Sequence, residues 1–274
     1  MDLFGSRVNR YLQFFLYTVN PLGSFDCAKF TMSNTPLISC LCITRCKVRY
    51  LQRAIRCFQA QSYRNRELLI LYEDDDHPTR EYIAGISDPR ISKVEVSASP
   101  KLTLGRLRNL AVEKCRGEYF CQWDDDDWFH QDRLEFQMWV IQESRMPASI
   151  MMQWLLYEVM EGQAYVSNRR PWEGSLLCKK SLISEEMNYD DVVKGEDTSL
   201  IDRLFSGGLV FPIIMPKLYI YVYHGENTWE HEHWKPILKA GTRLSASSSR
   251  LIRDILSGCC SEKEASELLD KISL

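Results

Sequence analysis

Residues 117–134 read GEYFCQWDDDDWFHQDRL. The first half, Glu118 to Trp123, is short, apolar and aromatic, a composition that favours a buried strand. Four carboxylates, Asp124 to Asp127, follow where that strand must end. Ionised together, they would repel one another across a few ångströms, an arrangement normally tolerated only with a cation or strong donors between the oxygens. Hard oxygen donors suit Mg²⁺ or Mn²⁺, which are usually held by a few carboxylates plus phosphate oxygens. A metal-bound diphosphate at a strand end is the chemistry this pattern predicts. Two plainer readings fit less well. A solvated acidic loop is seldom walled in by residues such as Trp123, Trp128 and Phe129. A calcium loop with Asp124, Asp126 and Glu135 as ligands fails at Phe129, where the turn needs Gly, and at Trp128, where an oxygen is needed.

Working outward, residues 37–44 (LISCLCIT) read as a buried strand entered through Pro36, and residues 67–72 (ELLILY) as a second. The second runs straight into Glu73-Asp74-Asp75-Asp76. Between them Leu51, Ile55 and Phe58 recur at helical spacing. Residues 91–96 alternate like a strand with one wetter face, and Leu104, Leu107 and Ala111 place a helix over about 105–115. Strands alternating with helices predict a three-layer α/β/α domain with a mostly parallel sheet. Ligands bind such sheets beyond the carboxyl ends of the strands. Three strands here end in polar or acidic tips, at Thr44-Arg45, 73–76 and 124–127, so one shared site is expected. No glycine-rich phosphate loop follows the first strand. Phosphate charge would therefore be met by a metal and by Arg106 and Arg108.

Farther along, residues 149–159 read as a strand or buried segment, and Trp172-Glu173-Gly174 as a loop at a site. Glu196-Asp197 opens a helix with Leu200, Ile201, Leu204 and Phe205 as its apolar stripe. Residues 217–223 (KLYIYVY) form a strand that delivers His224, and residues 262–272 are helical.

The 274 residues are 45% hydrophobic and 26% charged, ordinary for a soluble globular protein. A net charge of −3 gives no electrostatic case for a nucleic-acid partner. Ten cysteines do not form a compact, evenly spaced framework; several lie in apolar segments as small hydrophobes, which points to a reducing, cytoplasmic setting. No run has the length of a membrane span. Residues 11–19 (YLQFFLYTV) come nearest and read as a surface helix, a disordered lead or a membrane-touching segment.

Taken together, residues 36–44, 54–63, 67–76, 105–109, 117–134 and 196–197 resemble the nucleotide-sugar-binding domain of family 2 glycosyltransferases, which have the GT-A fold. The resemblance covers roughly Pro36 to Trp234. It implies a 1–35 extension and a 36–234 glycosyltransferase domain, with a nucleotide-sugar half (36–134), an acceptor half (135–234) and a 235–274 helical tail. It also implies an inverting enzyme using Mn²⁺ or Mg²⁺, a nucleotide-diphosphate sugar (a UDP-sugar first), and a carbohydrate or lipid-linked acceptor. By the same resemblance Thr44, Arg45, Glu73 and Asp74 border the base and ribose, and Arg108 the base or diphosphate. Asp124–Asp126 are the DxD-type motif, with Asp126 and Asp124 as metal ligands, Asp125 or Asp124 near the ribose, and His224 completing the metal site. Asp197 corresponds to the catalytic base, Glu196 shapes the acceptor pocket, and Trp172 is a candidate for stacking on a sugar. Two positions depart from the family: the usual Asp-Asp-Gly-Ser after the second strand reads Tyr-Glu-Asp-Asp-Asp, and Gln131 replaces a proline. Taken alone, acids in a first helical turn also complement the helix dipole. Two other readings of the chain are a nucleotidyltransferase, disfavoured by the missing phosphate loop, and a non-catalytic nucleotide-sugar module, disfavoured by Glu196-Asp197.

Overall fold

The structure is a computed structural model and describes residues 32–274; residues 11–19 lie outside them. The first half alternates as expected: β1 (Ile38–Ile43), α1 (Val48–Ala60), β2 (Arg66–Glu73), α2 (His77–Ala84), β3 (Ile91–Val96), α3 (Leu104–Lys114) and β4 (Tyr119–Gln122). A two-residue strand, β5 (Trp128–Phe129), precedes α4 (Arg133–Ser144), β6 (Ala148–Gln153), β7 (Leu155–Glu158), β8 (Gln163–Val166) and β9 (Trp172–Lys179). The rest is α5 (Thr198–Ser206), β10 (Val210–Ile214), β11 (Tyr219–Tyr223), α6 (His231–Ala240), β12 (Thr242–Arg243), α7 (Ala246–Ser257) and α8 (Glu262–Asp270).

Among the described residues the strands form a seven-stranded sheet, ordered β10-β6-β9-β4-β1-β2-β3, and a five-stranded sheet, ordered β12-β8-β7-β11-β5. In the larger sheet β3, β2, β1 and β4 run parallel, as do β6 and β10; β9 alone is antiparallel to both its neighbours. Side chains alternate across the sheet. Cys40 and Cys42 face a core shared with α1 and α4, while Leu41, Leu69 and Leu71 face a second core under α3 and α5. Helices on both faces give the three layers, with a mostly parallel sheet between them.

β4, β1 and β2 are adjacent and parallel, so the three polar tips expected to converge emerge side by side at one edge of the sheet. Beyond its four aspartates the chain passes at once into the smaller sheet, where β5 pairs with β11, so Trp128 and Phe129 are fully buried.

Three local expectations are corrected. Residues 149–159 are two strands in different sheets, split at Trp154, because the apolar run serves two cores. Trp172-Glu173-Gly174 is the start of β9 rather than a loop. The helix at 196–197 begins at Thr198, with Asp197 as its N-cap. Toward the C-terminus, α7 packs on β8 and α8 on α1. Buried Glu262 accepts from Trp128 Nε1 at 2.7 Å and pairs with Arg56 at 3.1 Å. Among the described residues no helix is long and apolar enough to cross a membrane.

Candidate functional site

A cavity of about 450 Å³ opens at the edge where the strand tips meet. Thr44, Arg45, Glu73, Arg108, Asp124, Asp125, Asp126, Trp172, Glu196 and Asp197 all line it. Two expected site residues do not. Asp74 accepts from Ala98 N at 2.9 Å, and its own amide donates to Val96, so it belongs to the loop after β3. His224 lies behind Asp126, stacked on Tyr50 at 4.3 Å between ring centroids. Arg106 also points elsewhere: its side chain is exposed and pairs with Asp191 at 3.6 Å.

The four aspartates separate into different tasks. Asp127 is fully buried and accepts from Val222 N at 2.9 Å and from the Tyr219 hydroxyl, fixing the acidic turn to β11. Burial and the neighbouring Asp126 push its carboxyl well above the usual range. Arg53, from α1, donates to the carbonyls of Asp126 and Asp127 and holds the same turn from the other side. Asp125 accepts from Thr44 Oγ1 at 2.6 Å; burial and Asp126 push its carboxyl up to about 8. Asp124 meets Arg108 Nη2 at 3.4 Å. Asp126 is the one whose carboxylate is most favoured. Burial alone would raise its pKa, but His224 and Lys47 pull it well below the usual range.

Arg45 is committed to the β2 tip, meeting Glu73 at 2.5 Å and both oxygens of Asp75 at 2.7 Å. Lys101 also reaches Glu73. Lys47 Nζ lies 2.6 Å from Asp126 Oδ2 and 3.8 Å from Asp125 Oδ1. It follows Cys46, whose φ of 55° is a strained backbone for a residue with a Cβ, and whose amide is pinned to Asp76 at 2.7 Å.

On the opposite wall, Arg108 Nε lies 2.6 Å from Glu196 Oε1, and the arginine side chain is only 12% exposed. Asp197 caps α5 by position, yet its carboxylate makes no capping bond to the helix amides, so the helix does not use it. Burial first, then Glu196, push its carboxyl up to about 7, while Arg108 pulls against them. Two backbone approaches keep these groups in place. A Cβ at Gly105 would stand 1.7 Å from the Asp190 carbonyl oxygen, so α3 and the loop before α5 touch at main-chain distance. A Cβ at Gly174 would stand 2.9 Å from Asp124 Oδ2 and 3.2 Å from Trp172 Nε1.

Trp172 is 9% exposed, stacks on Trp154 at 4.7 Å and meets Tyr221 edge-on at 5.0 Å. It is core on one side and cavity wall on the other. Trp229 is 38% exposed, stacks on His233 at 4.4 Å and lines the same cavity beside Asp197. Sequence reasoning missed Trp229, Lys47 and Lys101. Lys47 alone carried a signal, as a basic residue at the junction between a tipped strand and an amphipathic helix.

Mn²⁺ or Mg²⁺ fits this donor set on a specific count. Asp126 Oδ2 and His224 Nε2 are hydrogen-bonded at 3.1 Å, a spacing that also approaches the roughly 3 Å between adjacent ligands of an octahedron with bonds of about 2.1 Å. Among the described residues no three His, Cys, Asp or Glu side chains are grouped to enclose an ion. The remaining ligands would therefore be phosphate oxygens and water, as Mg²⁺ prefers.

A family model described as glycosyl transferase family 2 matches residues 40–186. Over 108 residues the chain is 32% identical to the putative colanic acid biosynthesis glycosyl transferase WcaA of Escherichia coli K12. That match covers 38% of this chain and 37% of the relative, so it spans well under half of the relative's length. Among solved structures, TarS 1–349 of S. aureus in complex with UDP-GlcNAc aligns over 85% of this chain and 70% of its own, with a TM-score of 0.57 and 11% identity. The mannosyltransferase PcManGT of Pyrobaculum calidifontis, in complex with GDP-Man and Mn²⁺, aligns over 97% and 81%, with a TM-score of 0.56 and 13% identity. At those identities the likeness is one of fold, the GT-A type.

Proposed function

The chain belongs to glycosyl transferase family 2, and from that premise we propose that it moves a sugar from a nucleotide-diphosphate sugar to an acceptor hydroxyl with inversion at the anomeric carbon. The observation that carries this reading is that Asp126 and Asp197, on separate elements, line one cavity, with Arg108 bonded to Glu196 and facing Asp124. One carboxylate serves the leaving group and the other the nucleophile. A UDP-sugar is the first donor to test, since the fold relatives named above were solved with UDP-GlcNAc and GDP-Man.

Thr44, Arg45 and Glu73 form the end of the cavity suited to base and ribose, with Asp125 oriented by the Thr44 hydroxyl. Asp126 and His224 would hold Mn²⁺ or Mg²⁺, with Asp124 beside them, and the ion would supply positive charge where the diphosphate leaves. Asp197 takes the proton of the acceptor hydroxyl as that oxygen attacks the anomeric carbon from the face opposite the diphosphate. Its raised pKa makes it a stronger base than an ordinary aspartate while leaving it ionised in a substantial fraction near neutrality. Glu196, tied to Arg108, keeps the adjoining backbone in place. The acceptor is a carbohydrate or a lipid-linked sugar. The E. coli relative's name points to polysaccharide synthesis as the setting.

Nucleotide release from UDP-, GDP- and dTDP-sugars, with and without Mn²⁺, tests the reading. Release from one donor that needs both Mn²⁺ and Asp126 is expected. Release that ignores the ion and survives Asp126→Ala would overturn it.

A further inference from the structure

We propose that Lys47 is a tethered counter-ion that occupies the metal side of Asp126 until nucleotide and metal arrive together. The inference rests on the donor and metal reading above. It starts from one atom: Asp126 Oδ2 is met by Lys47 Nζ at 2.6 Å and by His224 Nε2 at 3.1 Å. A cation ligated by that oxygen competes for it with the ammonium already bonded there. Lys47 therefore has to give up Oδ2 before that oxygen can act as a ligand.

The surroundings make that departure feasible. Arg45 is held by two carboxylates and Arg108 by Glu196, so neither is free to take over at Asp126. Lys47 has no comparable second partner: its next carboxylate oxygen, on Asp125, is at 3.8 Å. Its side chain is 24% exposed and lines the cavity, so the ammonium can swing on its four-carbon stem without disturbing the core. The backbone beneath it is fixed by the Cys46 amide on Asp76. Only the side chain needs to move.

Charge decides the order of events. With Lys47 on Asp126 and Arg108 facing Asp124, a divalent cation alone would enter beside two cations, displacing one ammonium and gaining no new anion. A diphosphate supplies that missing negative charge. It brings oxygens for the open coordination positions and leaves the released ammonium among anions rather than cations. Metal binding should therefore be weak alone and strong with nucleotide, and Lys47 should be a principal cause of the difference.

Mn²⁺ binding to the full chain, read from the EPR signal of free Mn²⁺ with and without UDP or GDP, tests this without any sugar transfer. The parent is expected to bind Mn²⁺ weakly alone and much more tightly with one of the nucleotides. Lys47→Gln should bind Mn²⁺ alone at least about tenfold more tightly than the parent, the scale of one charge-assisted hydrogen bond. Its gain from nucleotide should shrink accordingly, and Lys47→Arg should stay near the parent. Lys47→Met provides a second neutral variant should the glutamine protein melt early. If the neutral variants bind Mn²⁺ alone no better than the parent, Lys47 is not the counter-ion, although the metal site stands. A parent that binds no Mn²⁺ with either nucleotide overturns the metal reading and this inference with it.

Discussion

Arg108 Nε and Glu196 Oε1, 88 residues apart in sequence, are joined at 2.6 Å on one wall of the cavity. The pair ties α3, in the strand-helix first half, to the loop that carries Asp197. Both side chains are largely removed from water, so cutting one leaves the other charge stranded. Arg108→Ala should cost on the order of 3–5 kcal/mol of stability and weaken nucleotide binding as Asp124 loses its partner. Denaturant melts and UDP calorimetry check both. A variant as stable as the parent would mean that the loop is held by its backbone alone.

Asp197→Asn keeps the shape of the side chain and removes the base. Turnover should fall by roughly 10²–10⁴-fold, while donor affinity, set across the cavity at Asp124–Asp126, changes little. Glu196→Gln should be milder. Transfer rate measured beside donor affinity for both variants decides the matter; parent-level turnover in Asp197→Asn would remove the proposed base.

The Asp197 carboxyl, pushed up to about 7 chiefly by burial, gives the pH dependence a definite sign. In the unfolded chain the same group titrates near 3.9. Between those values the folded chain holds a proton that the unfolded chain has lost. This contribution is fully present below about pH 4 and is lost as pH rises through about 7. Asp197→Asn should therefore be more stable than the parent at about pH 8 and nearly equal to it at about pH 4. The transfer rate of the parent should climb through about pH 7 as the base ionises. Thermal melts at both pH values and a pH–rate profile are the measurements.

Gly174 faces Asp124 with no room for a methyl group. Gly174→Ala should push Asp124 away from Arg108 and weaken nucleotide binding several-fold, with a loss of roughly 1–3 kcal/mol in stability. Calorimetry with UDP checks the first effect and a urea melt the second. Unchanged affinity would show that Asp124 does not touch the nucleotide.

Much of the donor side was legible because local patterns determine it. The apolar runs of β1, β2 and β4 end in polar tips, and parallel neighbours must present those tips at one edge. The acceptor side was less legible because its order is set by distant partners. Nothing in 172–179 declares that the strand enters antiparallel between β4 and β6. Trp154 breaks an apolar run only because two cores compete for its ends. Lys47 and Trp229 are ordinary residues until the fold brings them to the cavity. Asp74 and Glu73 are indistinguishable as letters, and the pairing of β2 with β3 separates them by turning Asp74 toward Ala98.

The close approach at Gly105 also shapes how this chain can vary. The loop before α5 is clamped at both ends, since the Asp190 amide donates to the Glu196 carbonyl at 2.9 Å and the Asp190 carbonyl rests on Gly105. Its crown is tied to α3 as well, through the Gly105 amide on the Val192 carbonyl at 3.2 Å and the Thr103 hydroxyl on Asp191 at 2.6 Å, but the Val192 and Val193 side chains are exposed and Val193 lines the cavity. Substitutions in that crown alter what an incoming acceptor meets while Glu196 stays where Arg108 holds it. The molecule thus separates a region open to evolutionary experiment from the machinery beside it, at the cost of one glycine that cannot change.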